Sequence, residues 1–326
     1  MNTVSDQHAE WFSYWFNAVL DNVELVIRGK RDQIATALVC VYAEGHLLLE
    51  DVPGTGKTTL AKAIANSMHC TSRRVQFTPD LLPSDVTGGL IYDQSNGSFE
   101  FRPGPVFANV VLADEINRAS PKTQAAMLEV MEERHITVDG DSHDVPRPFV
   151  VIATQNPVEQ EGTYRLPEAQ LDRFLLRTAL GYPDHDSEVD AVKRVSNGAA
   201  SEGLEAVISL DDTHRMITVA RGIHVDDAIY DYIVRLVAAT RDLPELRLGV
   251  STRGGLALVR ASRAMAAAQG RPFITVDDVK VLAPAALSHR MLLSPEAELR
   301  GVHSHDLVDE LLDRVEIPAP VRSAAR

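Results

Sequence analysis

The sequence predicts an α/β protein: a parallel sheet flanked by helices, with two β-hairpin insertions, followed by an all-α domain. Three observations predict it. Apolar runs recur without alternation, the pattern of parallel strands buried on both faces. Helical patterns separate those runs, which winds the sheet. After Pro183 strand patterns stop and helical ones continue. The 326 residues are long for one core. They divide into an N-terminal helix and segment (1–30), an α/β core (31–182) and a helical domain (183–326).

The first element is a helix over residues 8–21, where Trp11, Phe12, Trp15, Phe16, Val19 and Leu20 share one stripe. Its polar face lacks the Lys and Arg of a membrane-surface helix. It is expected to pack on the main domain or on a partner. Expected strands follow at His46–Glu50, Arg74–Thr78, Val110–Ala113 and Phe149–Ala153. Two hairpins interrupt them. Leu90–Asp93 and Ser98–Phe101 flank Asn96-Gly97, and His135–Val138 and Asp144-Val145 flank Asp139-Gly140-Asp141. Asn-Gly and Asp-Gly supply the positive φ of tight hairpin turns. In the C-terminal part, helices are expected over Asp226–Thr240 and Arg253–Gln269, the second stopped by Gly270 and Pro272. Thr275 is expected to cap a further helix with Asp277 and Asp278 in its first turn. The tail Pro318–Arg326 is expected to fray.

The net charge is −14, from 32 Lys+Arg against 46 Asp+Glu. That balance disfavours nucleic acid as a partner, because phosphate backbones need a positive surface. Cys40 and Cys70 form no CxxC pair, and Cys40 lies in the apolar run Ile34–Ala43 as a small hydrophobe. Such cysteines fit a reducing compartment. The first basic residue is Arg28, so the positive start of a secretory signal is missing. No apolar run approaches the ~18 residues of a membrane span. The expected location is the cytoplasm, without membrane insertion.

The chemistry begins after the His46–Glu50 strand. Asp51, Val52, Pro53, Gly54, Thr55, Gly56, Lys57, Thr58 and Thr59 lead into a helix carrying Leu60, Ala61, Ile64, Ala65 and Met68 on one face. Strand, glycine-rich loop, Gly-Lys-Thr and helix make a phosphate-binding loop. Glycines let backbone N–H groups approach phosphate oxygens, and the helix N-terminus adds partial positive charge. Lys57 is expected to reach the β- and γ-phosphates and the Thr58 hydroxyl to ligate Mg²⁺. One position departs from the pattern: it begins with Gly, and here that place is Asp51.

Two further pieces support the loop. Val110–Ala113 ends in Asp114 and Glu115. Asp114 is expected to hold Mg²⁺ through its water shell and Glu115 to polarise the attacking water. Phe149–Ala153 leads to Asn156, whose amide can sense the γ-phosphate or orient water.

With these pieces the chain resembles the AAA+ superfamily and, within it, the MoxR family. The matching stretches are Glu50–Thr59, Phe101–Asn109, Leu112–Pro121, Ala153–Pro157 and Leu166–Phe174. The middle three together are specific for that family. The resemblance spans about residues 24–315. It implies an AAA+ core with an all-α lid, and Mg²⁺-dependent hydrolysis of ATP. It identifies Asn156 with the sensor-one position, Arg173 with an arginine finger reaching a neighbour's nucleotide, and Arg253 with the sensor-two arginine of a lid helix. Arg165 and Arg177 are rival fingers. Val26–Gly29, with Ile27 and Gly29 as its contacts, matches the segment lining the adenine pocket, where the family has Gly-Gln and this chain has Gly29-Lys30. A finger acting in trans would make the site exist only between subunits, and the resemblance implies a homo-oligomeric ring, usually of six. The hairpins match insertions that face the ring's pore. Family members resemble chaperones that mature other complexes or load metal cofactors, beside a partner with a von Willebrand A domain and a protein client.

Two other functions compete with an ATP-driven remodeller of protein. A nucleic-acid motor shares both hairpins, but here they carry Asp93, Glu100, Asp139, Asp141 and Asp144. A nucleotide-gated scaffold would bind ATP with little turnover. Other chemistries lack their motifs: there is no Gly-x-Ser-x-Gly elbow or His-Glu-x-x-His helix, and His303 and His305 read as surface residues.

Overall fold

The computed structural model describes residues 4–52, 54–156, 163–164, 166–196 and 204–317. Pro53, Arg165 and the tail Pro318–Arg326 lie outside the described residues. The chain forms two compact units: Trp15–Phe174 with Thr178–Arg215, and Met1–Tyr14 with Leu175–Arg177 and Met216–Arg326. This division differs from sequence boundaries at 30 and 182. Backbone N–H bonds from Val207 and Ile208 to the Ser67 carbonyl, and a side-chain bond from Asn22 Nδ2 to the Glu205 carbonyl, tie residues 205–208 back to the α/β unit.

In chain order the α/β unit builds as follows. Helix α1 (Asp6–Glu24) begins in the other unit. Then come α2 (Arg31–Tyr42), β1 (Leu47–Glu50), α3 (Lys57–Ser67), β2 (Ser72–Gln76), α4 (Pro83–Thr87), β3 (Gly88–Asp93) and β4 (Ser98–Pro103). After β5 (Val110–Asp114) follow α5 (Pro121–Glu133), β6 (His135–Val138), β7 (Asp141–Asp144), β8 (Val150–Gln155), α6 (Glu168–Leu171), β9 (Leu176–Thr178), of which Leu176 and Arg177 are grouped with the other unit, and α7 (His185–Ser196). Phe12, Phe16, Val19 and Leu20 of α1 are buried, as the stripe predicts, and Phe16 lies 5.9 Å from Tyr42 of α2 between ring centroids.

The central sheet has the order β2-β5-β8-β1-β9. The β2–β5, β5–β8 and β8–β1 pairs are parallel, so the apolar runs are buried on both faces as expected. Pairing of Gln76 with Asp114, Ala113 with Ala153 and Glu50 with Gln155 puts Asp51, Asp114, Glu115 and Asn156 at one carboxyl edge. In open parallel sheets that edge is where ligands bind. Strand β9, three residues long, is too short to show a period.

Buried His46 opens the β1 segment without cost to the core. The Val151 N–H donates to its Nδ1 (3.0 Å), so Nε2 carries the proton and donates to the Met131 carbonyl (3.0 Å). A neutral imidazole with both nitrogens satisfied is a stable core residue. Cys40 and Cys70 are buried free thiols. Burial pushes Cys70 up to about 12, which keeps it protonated at neutral pH.

Both predicted hairpins form. In β3–β4, Leu90 pairs with Phe101 and Tyr92 with Phe99. In β6–β7 the turn residues Asp139 and Gly140 have φ of 52° and 89°, the positive values a two-residue turn requires. Phe101 stacks on His143 at 4.0 Å, which joins the hairpins.

In the other unit α8 (Leu210–Gly222), which starts in the α/β unit, is followed by α9 (Asp227–Arg241), β10 (Leu246–Leu248), α10 (Thr252–Ala268), α11 (Val276–Leu287), β11 (Leu292–Leu293), α12 (Pro295–Leu299) and α13 (Ser304–Arg314). The unit is helical, with one correction to the all-α expectation. Strands β10 and β11 pair antiparallel, and runs of three and two residues carry no alternation to read. Thr275 caps α11 as expected. Its capping-box partner, buried Asp278, also takes both Arg271 guanidinium N–H edges at 2.6 and 2.9 Å. A buried carboxylate paired and hydrogen-bonded in this way is held firmly, because losing one partner strands a charge.

Candidate nucleotide site

The phosphate loop leaves β1 and enters α3 through Gly56, whose left-handed φ of 89° favours glycine. Gly54 also has positive φ, 84°, and a side chain there would meet open space, so the loop is clear on that face. No side chain caps the N-terminus of α3. Its first N–H groups therefore suit an anion. Thr55, Lys57, Thr58 and Thr59 are half-buried around this turn. The Lys57 ammonium is held inside the loop, donating to the Asp51 (3.0 Å) and Val52 (2.7 Å) carbonyls. A phosphate would replace those neutral acceptors with charged ones. Lys57→Ala is expected to abolish ATP binding in a fluorescent-nucleotide titration. Unchanged affinity would remove this loop from consideration as the site.

Across the sheet edge stand the two carboxylates. Buried Asp114 receives the Thr154 hydroxyl on Oδ1 (2.6 Å), and the Arg74 guanidinium on Oδ2 (3.0 and 2.6 Å). The same Thr154 oxygen accepts the Glu115 N–H at 2.8 Å. One hydroxyl thus fixes both acids. Glu115 has a left-handed backbone, φ 55°, and its Oε2 accepts from Gln76 and Arg118, each at 2.9 Å. Asn156 is buried at the end of β8. Sequence reading missed Arg74, Gln76 and Thr154 as site residues. The one available signal was the row of polar side chains on an otherwise unremarkable strand, Arg74 and Gln76 standing outward on β2.

The donor set fits a magnesium ion. Mg²⁺ retains waters and takes one or two protein oxygens beside substrate phosphates. The Thr58 hydroxyl would be such an oxygen, and the Asp114 carboxylate, whose Oδ2 takes the Arg74 guanidinium, would reach the ion through its water shell. Among the described residues no cluster of three or more His, Cys, Asp or Glu forms an all-protein metal cage.

The segment before α2 reaches this loop. A Cβ on Gly56 would stand 3.4 Å from Cδ1 of buried Ile27. Gly29, φ 67°, is pressed against Asp184 and Ser187, and a Cβ there would meet Asp184 Oδ2 at 2.6 Å. Of the arginines, Arg173 pairs with Glu132 of α5 at 2.9 Å. Arg177 donates to Ser288 Oγ at 3.2 Å. Arg253 is exposed in the first turn of α10 and belongs to the other unit, so it is not among the residues gathered in the α/β unit.

A strand–loop–helix phosphate site facing two strand-end carboxylates and a buried asparagine is the construction of an AAA+ nucleotide-binding domain. A family model for ATPases associated with various cellular activities matches residues 46–176, and one for the AAA lid domain matches residues 238–311. The uncharacterised protein YeaC of Bacillus subtilis is 48% identical over 94% of this chain and 96% of its own length. The chaperone MoxR1 of Mycobacterium tuberculosis is 39% identical over 91% of this chain and 80% of its own. A crystal structure from Cytophaga hutchinsonii superposes with a TM-score of 0.90 at 38% identity, covering 96% of this chain and 98% of that one. The chain belongs to the MoxR family of AAA+ ATPases.

Proposed function

We propose that the protein is an ATP-driven motor that remodels protein complexes, working as a homo-oligomeric ring of six subunits. The pairing of Asp114 and Glu115 through one Thr154 hydroxyl, beside the Lys57 loop, is the observation that carries hydrolysis. Lys57 and the loop residues Pro53, Gly54, Thr55, Gly56, Thr58 and Thr59 bind the phosphates. Thr58 and Asp114 hold Mg²⁺, whose charge offsets that of the phosphates. Glu115 takes the proton of the attacking water, Asn156 orients that water, and Ile27 and Gly29 contact adenine. Arg173 is the finger offered to the next subunit and Arg253 the sensor from the lid. The three-part division at residues 30 and 182 is kept as the functional one, with the lid following the core.

The chaperone named among the relatives supports a remodelling role. We extend it to maturation or metal loading of a client in the cytoplasm, beside a von Willebrand A domain partner. Among the described residues no helix is long and apolar enough to cross a membrane. The exposed acids of the hairpins weigh against a nucleic-acid motor.

A second reading, the low-turnover scaffold, is favoured by one contact. Glu115 is engaged by Arg118 and Gln76 rather than free to accept a proton. The deciding measurement is ATPase rate per subunit against protein concentration. A rate that climbs steeply to a plateau is expected of a site completed between subunits. A flat, low rate favours the scaffold.

A further inference from the structure

The phosphate loop departs from its pattern at Asp51, and that residue is fastened to a distant tripeptide. Asp51 is buried, with ordinary backbone φ, so a glycine is not needed there for conformation. Its Oδ1 accepts the Val52 N–H (2.8 Å), and its Oδ2 accepts the N–H groups of Leu180 (2.9 Å) and Gly181 (2.8 Å). A carboxylate taking three backbone donors makes strong, charge-assisted bonds. Its own main chain continues the fastening. The N–H donates to the Gln155 carbonyl of β8 at 3.1 Å, and the carbonyl receives Lys57 Nζ.

The same tripeptide is gripped again by Lys30. Its Nζ donates to the Tyr182 carbonyl at 2.7 Å. A Cβ on Gly181 would stand 3.7 Å from that nitrogen. Thus Asp51 takes the donors of residues 180 and 181, and Lys30 feeds the acceptor of residue 182. Beyond it, Asp184 and Ser187 abut Gly29, and Ile27 abuts Gly56. The contacts close a circuit: loop, tripeptide, the Ile27–Lys30 segment, and loop again.

We propose that Asp51 and Lys30 are positioning residues that clamp Leu180–Tyr182, and so set the spacing between the phosphate loop and the Ile27–Gly29 segment. This rests on the reading that the loop takes the phosphates and the segment the adenine base. The clamp then acts on recognition of a whole nucleotide and little on recognition of its phosphate chain.

The test titrates ATP and inorganic tripolyphosphate against wild type, Lys30→Met, Asp51→Asn, Asp51→Gly and the Asp51→Gly/Lys30→Met double variant. Methionine keeps the length of Lys30 and removes its donor. The clamp bonds lie within the protein, so their loss reaches the ligand only by loosening the spacing of its pocket, and about tenfold in affinity is the scale expected of that loosening. Lys30→Met is therefore expected to weaken ATP about tenfold and leave tripolyphosphate within about twofold. Asp51→Gly, which restores the pattern's residue, is expected to weaken ATP by about tenfold or more, with Asp51→Asn between. The double variant should cost less than the product of the single losses, because both act through one tripeptide. In steady state the change should fall on KM rather than kcat.

An ATP-to-tripolyphosphate ratio unchanged in Lys30→Met and Asp51→Asn overturns the proposal, whether or not Asp51→Gly folds. Lys57→Ala separates the two failures. If it binds both ligands like wild type, the phosphate-site reading falls. If it loses both while the clamp variants keep the wild-type ratio, only the clamp falls.

Discussion

Glu115→Gln is expected to bind ATP with affinity within about threefold of wild type and to lose about 10²–10⁴ of kcat, the range a positioned general base supplies. The substitution isolates the chemistry. Glutamine has nearly the shape of glutamate, and its backbone N–H still donates to Thr154. Its amide oxygen still accepts from Gln76 or Arg118, so the left-handed turn at residue 115 keeps its supports. What disappears is the negative charge that draws a proton from water. Single-turnover hydrolysis beside a binding titration checks this. Normal turnover would place the base elsewhere on the sheet edge, and lost binding would mean that Glu115 supports the loop rather than the water.

The parts of this site legible in the sequence are those whose chemistry demands a residue type at a fixed spacing. Gly54, Gly56 and Lys57 must stand together between a strand and a helix. Asp114 and Glu115 must end an apolar strand. The hairpins were legible because Asp139-Gly140 and Asn96-Gly97 are turn chemistry. The supporting network was not, because it depends on strand order. Arg74, Asp114 and Thr154 are far apart in sequence, and only the order β2-β5-β8 makes them neighbours. Asp51 read as a defect in a motif because its partners, Leu180 and Gly181, arrive 129 and 130 residues later. The two-stranded piece of the helical unit escaped for a simpler reason: pairing of Leu246–Leu248 with Leu292–Leu293 leaves no periodic trace.

Arg173→Ala is expected to lower ATPase activity by about 10³-fold or more, the scale on which an arginine finger neutralises charge in phosphoryl transfer. The arginines differ in what they already hold. Arg177 is spent on Ser288. Arg173 leans on Glu132 through NH2 alone, and its buried Nε has no partner among the described residues. A guanidinium anchored at one nitrogen keeps donors for an incoming phosphate. If those donors serve a neighbour, Arg173→Ala keeps its own base and lacks only the finger it lends, while Glu115→Gln lends a finger and lacks its base. Mixed one to one, about a quarter of the head-to-tail interfaces in a ring pair a working base with a working finger. About a quarter of wild-type activity is therefore expected from two inactive preparations. No recovery, with ring assembly confirmed by sedimentation, would mean that Arg173 acts within its own subunit or not at all. A trans finger would then have to be sought at Arg165 or Arg177.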